Sequence, residues 1–275
     1  MTDAKAALLD ELAASGLERR EARWLVDEFF LGGDPDACSF VRAAANRRLA
    51  GEPLQYVLGH WPFRELDLDV DPRVLIPRPE TEELVSVALA ELAARDLGAP
   101  VIVDLGCGSG AIGLALLDEL ARRGVRANLL AVDVSKDALD VARSNALKHG
   151  LPQVSFVRSS WFDELDSSLR GHVDLIVANP PYVGAQEYPH LERVLDYEPR
   201  IALVAGDDQG MEGFADVGHV IAGARQWLSD DGVLVCEHGE RHGPLAMRVA
   251  RDAGFAHVRD LTDLAGKDRV LVATK

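Results

Sequence analysis

The stretch "PVIVDLGCGSG", residues 100–110, decides the fold of this chain. Its apolar half, 101–103, consists of residues with high β-propensity, and glycines alternate with other residues over 106–110. Glycine adopts positive φ without a steric penalty, so the pattern predicts a buried strand that turns sharply into a helix. The helix is "AIGLALLDELARR" (111–123), and together these segments begin an α/β unit.

Strand-like and helix-like segments alternate along the rest of the chain. The helical pattern "KDALDVARSNALKHG" (136–150) ends at a glycine suited to a C-cap. Alternating units with apolar strands predict a parallel, doubly wound α/β sheet, and ligands of such sheets bind beyond the carboxyl ends of the strands. The further strand-like segments are "ANLLAVDVS" (127–135), "QVSFVRSS" (153–160), "VDLIVANPPY" (173–182), "GVLVCEHG" (232–239), "HVRDL" (257–261) and "RVLVATK" (269–275).

The N-terminal part has a different, purely helical periodicity. It predicts a small helical bundle over 1–51, with a break at "LGGDPDA" that carries a cap signal at Asp34 and Pro35. The predicted helices are 3–15, 18–31 and 36–50.

A linker over 52–78 is predicted to join this bundle to an α/β domain over 79–275. Within the linker, "RELDLDVD" (64–71) alternates polar and apolar residues, which is the period of a half-buried strand and predicts a β-hairpin. "PETEELVSVALAEL" (79–92) then begins a helix, with a proline and acidic residues at its N-terminal end.

The charge balance argues against nucleic acid as a stable partner. The chain has 29 Lys and Arg against 45 Asp and Glu, a formal net charge of −16. Stable binding to nucleic acid usually requires a basic surface, and the nearest candidate is "RAAANRR" (42–48), interpreted as a solvated helix face.

Cysteine usage and hydropathy predict a cytoplasmic protein without a membrane segment. Cys38, Cys107 and Cys236 lack the spacing of a zinc site or a disulfide framework, so no metal is expected. No apolar run approaches the roughly 18 residues that span a bilayer, and the acidic N-terminus lacks the layout of a signal peptide.

The glycine turn predicts a nucleotide-like ligand. Gly106, Gly108 and Ala111 match the loose dinucleotide pattern G-x-G-x-x-A, so a nicotinamide cofactor is one candidate. Asp104 favours another, because its carboxylate would repel a pyrophosphate and suits the cationic, phosphate-free S-adenosylmethionine. Asp133, at the end of the second strand, is placed to accept ribose hydroxyl groups of either cofactor.

The stretch "VDLIVANPPYVG" (173–184) indicates the chemistry. Consecutive prolines cannot continue a strand, so the ladder stops at Asn179. In a doubly wound sheet this fourth strand adjoins the first, which places Asn179 beside the reactive end of the cofactor. The Asn179 side-chain oxygen and the Pro180 carbonyl are two adjacent acceptors that match an –NH2 group, and Tyr182 offers a flat wall. The pattern predicts methyl transfer to an amide or exocyclic amine.

From about residue 50 onward the chain resembles the HemK/PrmC peptide chain release factor glutamine methyltransferases. "NPPY" is shared with methyltransferases that act on adenine or guanine amines, whereas "IPRPETE" and "EPRIALVAG" are more specific. The motifs that carry the resemblance are "IPRPETEELV" (76–85), "VDLGCGSGAIGLAL" (103–116), "AVDVSKDALDVARSNA" (131–146), "VANPPYV" (177–183), "EPRIALVAGDDQGMEGF" (198–214) and "EHG" (237–239).

The resemblance implies a class I S-adenosylmethionine-dependent methyltransferase fold with a mostly parallel seven-stranded sheet. The N-terminal helices resemble the family in kind only, and we expect them to bind the substrate protein, because a flexible loop alone offers little area for specificity. The implied substrate is the glutamine of the Gly-Gly-Gln loop of class 1 release factors, and the implied product is N5-methylglutamine. We expect the enzyme to be a monomer. The residues implied to bind the cofactor are Asp104, Gly106, Cys107, Gly108, Gly110, Asp133, Ser160, Trp161, Asn179 and Arg78. The residues implied to hold the substrate are Asn179, Pro180, Pro181, Tyr182, Glu198 and Pro199, of which the first four form the catalytic motif.

One departure from the family concerns the adenine contact. Family members often read "SDWF" after the third strand, where the Asp would meet the adenine amine. This chain reads "SSWF" (159–162), which puts Ser160 at that position.

Four alternatives stay open at this point. A nucleic-acid amino-methyltransferase predicts a basic cleft and a pocket for a flipped base. A ribosomal protein glutamine methyltransferase would share the mechanism. A NAD-dependent dehydrogenase and a non-catalytic adaptor would share the fold.

Overall fold

The computed structural model describes residues 2–30, 36–95, 97–263 and 266–275. Within these residues lie nine α-helices and eleven β-strands. The helices are α1 (Thr2–Ala14), α2 (Arg19–Phe29), α3 (Ala37–Leu49), α4 (Leu54–Leu58), α5 (Thr81–Ala93), α6 (Ala111–Arg122), α7 (Lys136–Lys148), α8 (Ala215–Ala224) and α9 (Gly243–Asp252). The strands are β1 (His60–Phe63), β2 (Leu66–Asp69), β3 (Val101–Leu105), β4 (Asn128–Asp133), β5 (Val154–Arg158), β6 (Val173–Ala178), β7 (Val183–Gly184), β8 (Val204–Ala205), β9 (Leu228–Glu237), β10 (His257–Thr262) and β11 (Asp268–Thr274).

The described strands include a seven-stranded sheet in the order β10-β11-β9-β6-β3-β4-β5. The strands from β9 to β5 pair in parallel, and β11 is antiparallel to both β9 and β10. The predicted doubly wound, mostly parallel seven-stranded sheet is therefore confirmed. As expected from the sequence, β6 lies beside β3.

Helices cover both faces of this sheet. Successive residues of a strand point to opposite faces of the sheet. In β6, Leu175 and Val177 belong to the buried cluster on one face, and Ile176 and Ala178 belong to the cluster on the other. The first cluster contains α5 and α6, and the second contains α8 and α9. A strand buried on both faces reads as a continuous apolar run, which is the pattern of residues 175–178.

The N-terminal helices form their own core, which extends into α4. Leu8, Leu25 and Val41 pack with Leu54 and Val57 of α4, beyond the predicted boundary at residue 51. The three predicted helices correspond to α1, α2 and α3, whereas α4 lay inside the predicted linker. The predicted cap at Asp34 and Pro35 falls outside the described residues.

The hairpin predicted in the linker is β1–β2, an antiparallel pair that joins His60 to Asp69 and Phe63 to Leu66. Its tight turn places Arg64 at φ +53. Phe63 and Leu66 are buried against α5 and α6, so the hairpin packs on the α/β unit.

In the part of the chain that the structure describes, each arginine of the basic segment 42–48 is paired with a glutamate. Arg42 pairs with Glu11 at 2.7 Å, and the other two arginines, at 47 and 48, pair with Glu52 and Glu21. None of the described helices is long and apolar enough to cross a membrane. The three cysteines are free thiols.

Candidate active site

The glycine turn after β3 requires glycine for two physical reasons. Gly106, Gly108 and Gly110 have φ values of +71, +54 and +84, a region that residues with a Cβ rarely adopt. A Cβ on Gly110 would lie 2.9 Å from the Leu114 side chain, which is too close, whereas one on Gly106 would make an ordinary contact, at 3.4 Å, with the ring of Trp161. The turn therefore brings the backbone close to Trp161 and starts α6.

Asp133 fixes the open end of this turn. Its Oδ2 accepts the backbone N–H of Gly108 at 2.9 Å, and its Oδ1 accepts that of Ser135 at 2.8 Å. The backbone N–H groups of Gly106 and Cys107 donate to one carbonyl oxygen of β4, at 2.8 and 2.9 Å. Each carboxylate oxygen of Asp133 keeps a lone pair for a ligand hydroxyl.

Asp104 lies beneath the turn and not at its mouth. Its side chain is fully buried, and Oδ2 accepts the backbone N–H of Gly113 at 2.9 Å. Oδ1 has no hydrogen-bond partner among the described residues. Burial raises the pKa of Asp104 to about 7, and the negative charge of Asp133 adds to that shift, although the Gly113 N–H opposes it.

This raised pKa predicts a pH dependence of stability. In the unfolded chain Asp104 loses its proton near pH 4, whereas in the folded chain it keeps the proton until about pH 7. The free energy of unfolding should therefore fall as pH rises through this window. We expect Asp104→Asn to be more stable relative to the native chain at pH 8 than at pH 5, as measured by urea unfolding. An equal difference at both pH values would mean that folded Asp104 is ionised throughout.

A cavity of about 280 Å³ opens above the turn, at the carboxyl ends of the strands. This volume is near the lower end for small-molecule sites. Of the residues predicted for the cofactor, Asp104, Cys107, Gly110 and Arg78 do not line it. Its lining includes the predicted residues Gly106, Gly108, Asp133, Ser160, Trp161, Asn179, Pro181 and Pro199. It also includes residues that the sequence had not singled out, among them Arg73, Leu75, Val134, Ser135, Ile201 and Asp216.

Asp216 supplies a carboxylate close to the position where the family pattern expects one. The indole Nε1–H of Trp161 donates to Asp216 Oδ1 at 3.2 Å, and both residues line the cavity beside Ser160. Asp216 comes from the first turn of α8, so no local pattern around residue 160 could have revealed it.

A second, smaller cavity of about 60 Å³ adjoins the first. Arg78, Pro180 and Tyr182 line only the smaller of the two, and Asn179 and Pro181 line both. The catalytic motif predicted from the sequence therefore lies at the boundary between a larger and a smaller cavity.

The side chain of Asn179 has a defined neighbour on its nitrogen side. Nδ2–H donates to Thr81 Oγ1 at 3.1 Å, and the Thr81 hydroxyl donates to Glu237 Oε2 at 2.8 Å. The Tyr182 hydroxyl donates to Glu237 Oε1 at 3.2 Å. Sequence reasoning assigned no role to Thr81 or Glu237, although both occur in the quoted motifs "IPRPETEELV" and "EHG".

Glu198, which is buried, and Arg78, which is partly exposed, form an ion pair that joins two loops. Arg78 Nη2 lies 2.6 Å from Glu198 Oε1, and Glu198 Oε2 accepts the backbone N–H of Ile76 at 2.9 Å. The structure places these residues differently from the roles inferred at first. Arg78 lines the smaller cavity and Pro199 the larger, while Glu198 lines neither of the two and instead lines a separate groove beside the N-terminal helices.

Comparison with known proteins identifies the family. The family described as "Methyltransferase domain" matches residues 98–267. A release factor glutamine methyltransferase of Aliivibrio fischeri is 40% identical over 229 residues, 83% of this chain and 76% of the relative. One of Bifidobacterium longum is 36% identical over 98% of this chain and 91% of the relative. The chain belongs to the release factor glutamine methyltransferase family. This membership confirms the resemblance found in the motifs, and it makes the chain a methyltransferase.

A solved structure supports the fold of this family member independently. A methyltransferase from Pyrococcus furiosus superposes with a TM-score of 0.52 at 16% identity, over 85% of this chain and 96% of the other. At that identity the likeness shows the fold alone.

Proposed function

We propose that this chain transfers a methyl group from S-adenosylmethionine to the side-chain amide nitrogen of the glutamine in the Gly-Gly-Gln loop of class 1 release factors, giving N5-methylglutamine. The observation that carries the proposal is the meeting of the two cavities at Asn179 and Pro181. The larger suits the cofactor, and the smaller has room for a few water-sized groups, which suits a primary amide.

The residues of the larger cavity fit S-adenosylmethionine. The positive-φ glycines allow close approach of a ligand, and the free lone pairs of Asp133 suit the ribose hydroxyls. Among the described residues that line the cavity there is no Lys and one Arg, which is more consistent with a phosphate-free ligand than with a pyrophosphate. Trp161 and Ser160 are proposed to border the adenine.

The chemistry assigned to the motif is orientation and charge stabilisation. Bound S-adenosylmethionine supplies an electrophilic methyl group on a sulfonium. Asn179 Oδ1 and the Pro180 carbonyl accept both hydrogens of the substrate –NH2, which turns the nitrogen lone pair away from its delocalised plane and stabilises the positive charge that develops on that nitrogen. β6 ends at Ala178, so the Pro180 carbonyl lies outside the ladder. Tyr182 provides a flat wall, and no base is needed until the nitrogen has become acidic.

Incubation with labelled S-adenosylmethionine tests the function directly. Purified class 1 release factors and ribosomal proteins are offered separately, and methylated peptides are mapped by mass spectrometry. The proposal expects one added methyl group on the Gly-Gly-Gln glutamine. Label only in a ribosomal protein or in nucleic acid would support one of the alternatives instead.

Two observations favour a protein substrate over a nucleic acid. The arginines of segment 42–48 are paired with carboxylates, and the smaller cavity, at about 60 Å³, is tight for a flipped base. A release factor substrate also supports the proposed cytoplasmic location.

The Ser160 position gives a prediction about the cofactor. A carboxylate accepts a charge-assisted hydrogen bond from an adenine amine, and such bonds are roughly twice as strong as neutral ones. We expect Ser160→Asp to tighten S-adenosylmethionine binding by about 1 kcal/mol, measured by calorimetry. Unchanged or weaker binding would mean that Ser160 does not meet the adenine, and would favour Asp216 as the acidic partner.

The N-terminal helices are proposed to bind the release factor outside its loop. A groove of about 620 Å³ runs between them and the 192–203 segment, and it is lined by residues that include Trp24, Trp61 and Val194. Arg78 and Leu203 line both this groove and the smaller cavity, so a protein in the groove could reach the site with its loop.

Kinetics with two substrates test this role of the bundle. We expect Val194→Asp to raise KM for an intact release factor about tenfold, a change of roughly 1.4 kcal/mol, and to leave KM for a Gly-Gly-Gln peptide unchanged. Leu147→Asp, at an exposed leucine of α7, is the control. Equal losses with protein and peptide would show that the groove has only a structural role. Truncation at residue 51 is avoided because it would cut the shared core at Leu54 and Val57.

A further inference from the structure

Three side chains from distant parts of the sequence meet at the carboxyl end of β6. Ala178 of β6 lies opposite Cys236 of β9, so the residues that follow them, Asn179 and Glu237, are neighbours. Thr81, the first residue of α5, lies between their side chains and bonds to both. Thr81 is 4% exposed and Glu237 is 1% exposed, so water does not substitute freely for these contacts.

The direction of each hydrogen bond in this side-chain network follows from the charge of Glu237. An ionised carboxylate can only accept, and Glu237 accepts from the Thr81 hydroxyl at Oε2 and from the Tyr182 hydroxyl at Oε1. The Thr81 hydroxyl has a single hydrogen and uses it for Glu237. Toward Asn179, Thr81 can therefore only accept, and the only donor of the Asn179 side chain is Nδ2.

The opposite orientation of the Asn179 amide is unfavourable for the same reason. It would turn Oδ1 toward Thr81 Oγ1 with no hydrogen between two acceptors, and a buried polar group without a partner costs about 1–3 kcal/mol. It would also turn an N–H toward the cavity, where the substrate –NH2 needs an acceptor. The network thus selects the orientation in which Oδ1 is free to face the substrate.

We propose that Thr81 and Glu237 are positioning residues, which hold the Asn179 amide with its oxygen toward the smaller cavity. This inference rests on the proposed function for its consequence in catalysis, but the orientation itself is a property of the protein without substrate. Thr81 and Glu237 act through Asn179 and do not themselves contact the reacting nitrogen.

The ionisation of Glu237 is the condition on which the network depends. Burial raises the pKa of Glu237, and the negative charge of Glu80 adds to this, while the bonds from Thr81 and Tyr182 and the charge of Arg269 lower it. A protonated Glu237 could donate to Thr81, which would free the Thr81 hydrogen for Asn179 Oδ1 and reverse the amide. Arg269, which also lies 5.9 Å from the ring of Tyr182, helps to keep Glu237 charged.

The test uses the full chain with two variants at Thr81. Thr81→Val removes the hydroxyl and keeps the shape, and Thr81→Ser keeps the hydroxyl. We expect Thr81→Val to lower kcat about 100-fold, the cost of misplacing an orienting group. We expect unchanged affinity for S-adenosylmethionine by calorimetry, and activity of Thr81→Ser within about threefold of the native chain. Thr262→Val, at an exposed position of β10, is the matched control.

Selective ¹⁵N-asparagine labelling reads the orientation without any turnover. The chain has four asparagines, Asn46, Asn128, Asn145 and Asn179, so few side-chain amide signals need assignment. In Thr81→Val the Asn179 signals should shift and exchange faster with water. The Asn145 signals should not change, because that amide is held by Asp69 and Ser109. Glu237→Gln should have a smaller effect than Thr81→Val, since its amide can present either an oxygen or a nitrogen to Thr81.

Three results would overturn the inference. Unchanged Asn179 signals in Thr81→Val would show that the hydroxyl does not hold the amide. A fall in kcat of the same size in Thr81→Ser, or a loss of cofactor affinity in both variants, would assign Thr81 a general structural role. If the native chain methylates no glutamine, the proposed function fails, whereas the labelling result still decides the orientation.

Discussion

Replacing Asn179 with alanine is expected to lower kcat by about 10²–10³-fold, the range typical for loss of one preorganised donor or acceptor at a developing charge. The substitution removes Oδ1, one of the two acceptors proposed for the substrate –NH2, and leaves the nitrogen poorly aimed at the methyl group. Affinity for S-adenosylmethionine should stay near that of the native chain, because Gly106, Gly108 and Asp133 are untouched. Single-turnover kinetics and calorimetry measure the two quantities separately.

Asn179→Asp is the sharper comparison because it keeps an acceptor in nearly the same shape. It loses the Nδ2–H that donates to Thr81 and adds a negative charge near Glu237. We therefore expect measurable activity, above that of the alanine variant and below that of the native chain. Near-normal turnover in Asn179→Ala would contradict the mechanism. A collapse of cofactor affinity in both variants would instead assign Asn179 to the cofactor site.

The sheet and the position of its motifs could be predicted because they depend on local pattern. Apolar runs such as 101–103 and 175–178 lie in strands that are buried on both faces, and the glycines of the turn occupy positive φ as their spacing indicated. The adjacency of β3 and β6 follows from the doubly wound topology. Asn179 could thus be placed beside the glycine turn without coordinates.

The parts that escaped prediction depend on contacts between distant segments. Thr81 and Glu237 are 156 residues apart, and a hydroxyl and a carboxylate at that separation carry no signal of their bond. Asp216 lies on α8, and the residue that donates a hydrogen bond to it in the cavity, Trp161, is 55 residues away in the sequence. Arg78 was assigned to the cofactor side because no local pattern shows which of two adjoining cavities a loop residue will line.

The same reasoning gives the Arg78–Glu198 pair the largest expected effect on stability. The Glu198 side chain is 1% exposed and that of Arg78 is 31% exposed, with 2.6 Å between Nη2 and Oε1. Removing one partner of a buried pair leaves the other charge uncompensated, which costs about 3–5 kcal/mol. We expect Arg78→Ala to lower the free energy of unfolding by about 3 kcal/mol, measured by urea unfolding at pH 8. Activity should also fall, because this ion pair holds the loop of the smaller cavity against residues 120 positions away.

Arg73→Ala is the matched control for stability, since Arg73 bonds Asp71 through two nitrogens in an exposed pair at the edge of the larger cavity. Exposed ion pairs contribute about 0–1 kcal/mol to stability, so the free energy of unfolding of this variant should stay close to that of the native chain. The double variant Arg78→Ala/Glu198→Gln should recover part of the lost stability, because the glutamine carries no charge and its oxygen can still accept from Ile76. If the double variant is no more stable than Arg78→Ala, the loss comes from packing of the arginine side chain, and the buried charge of Glu198 is not its cause.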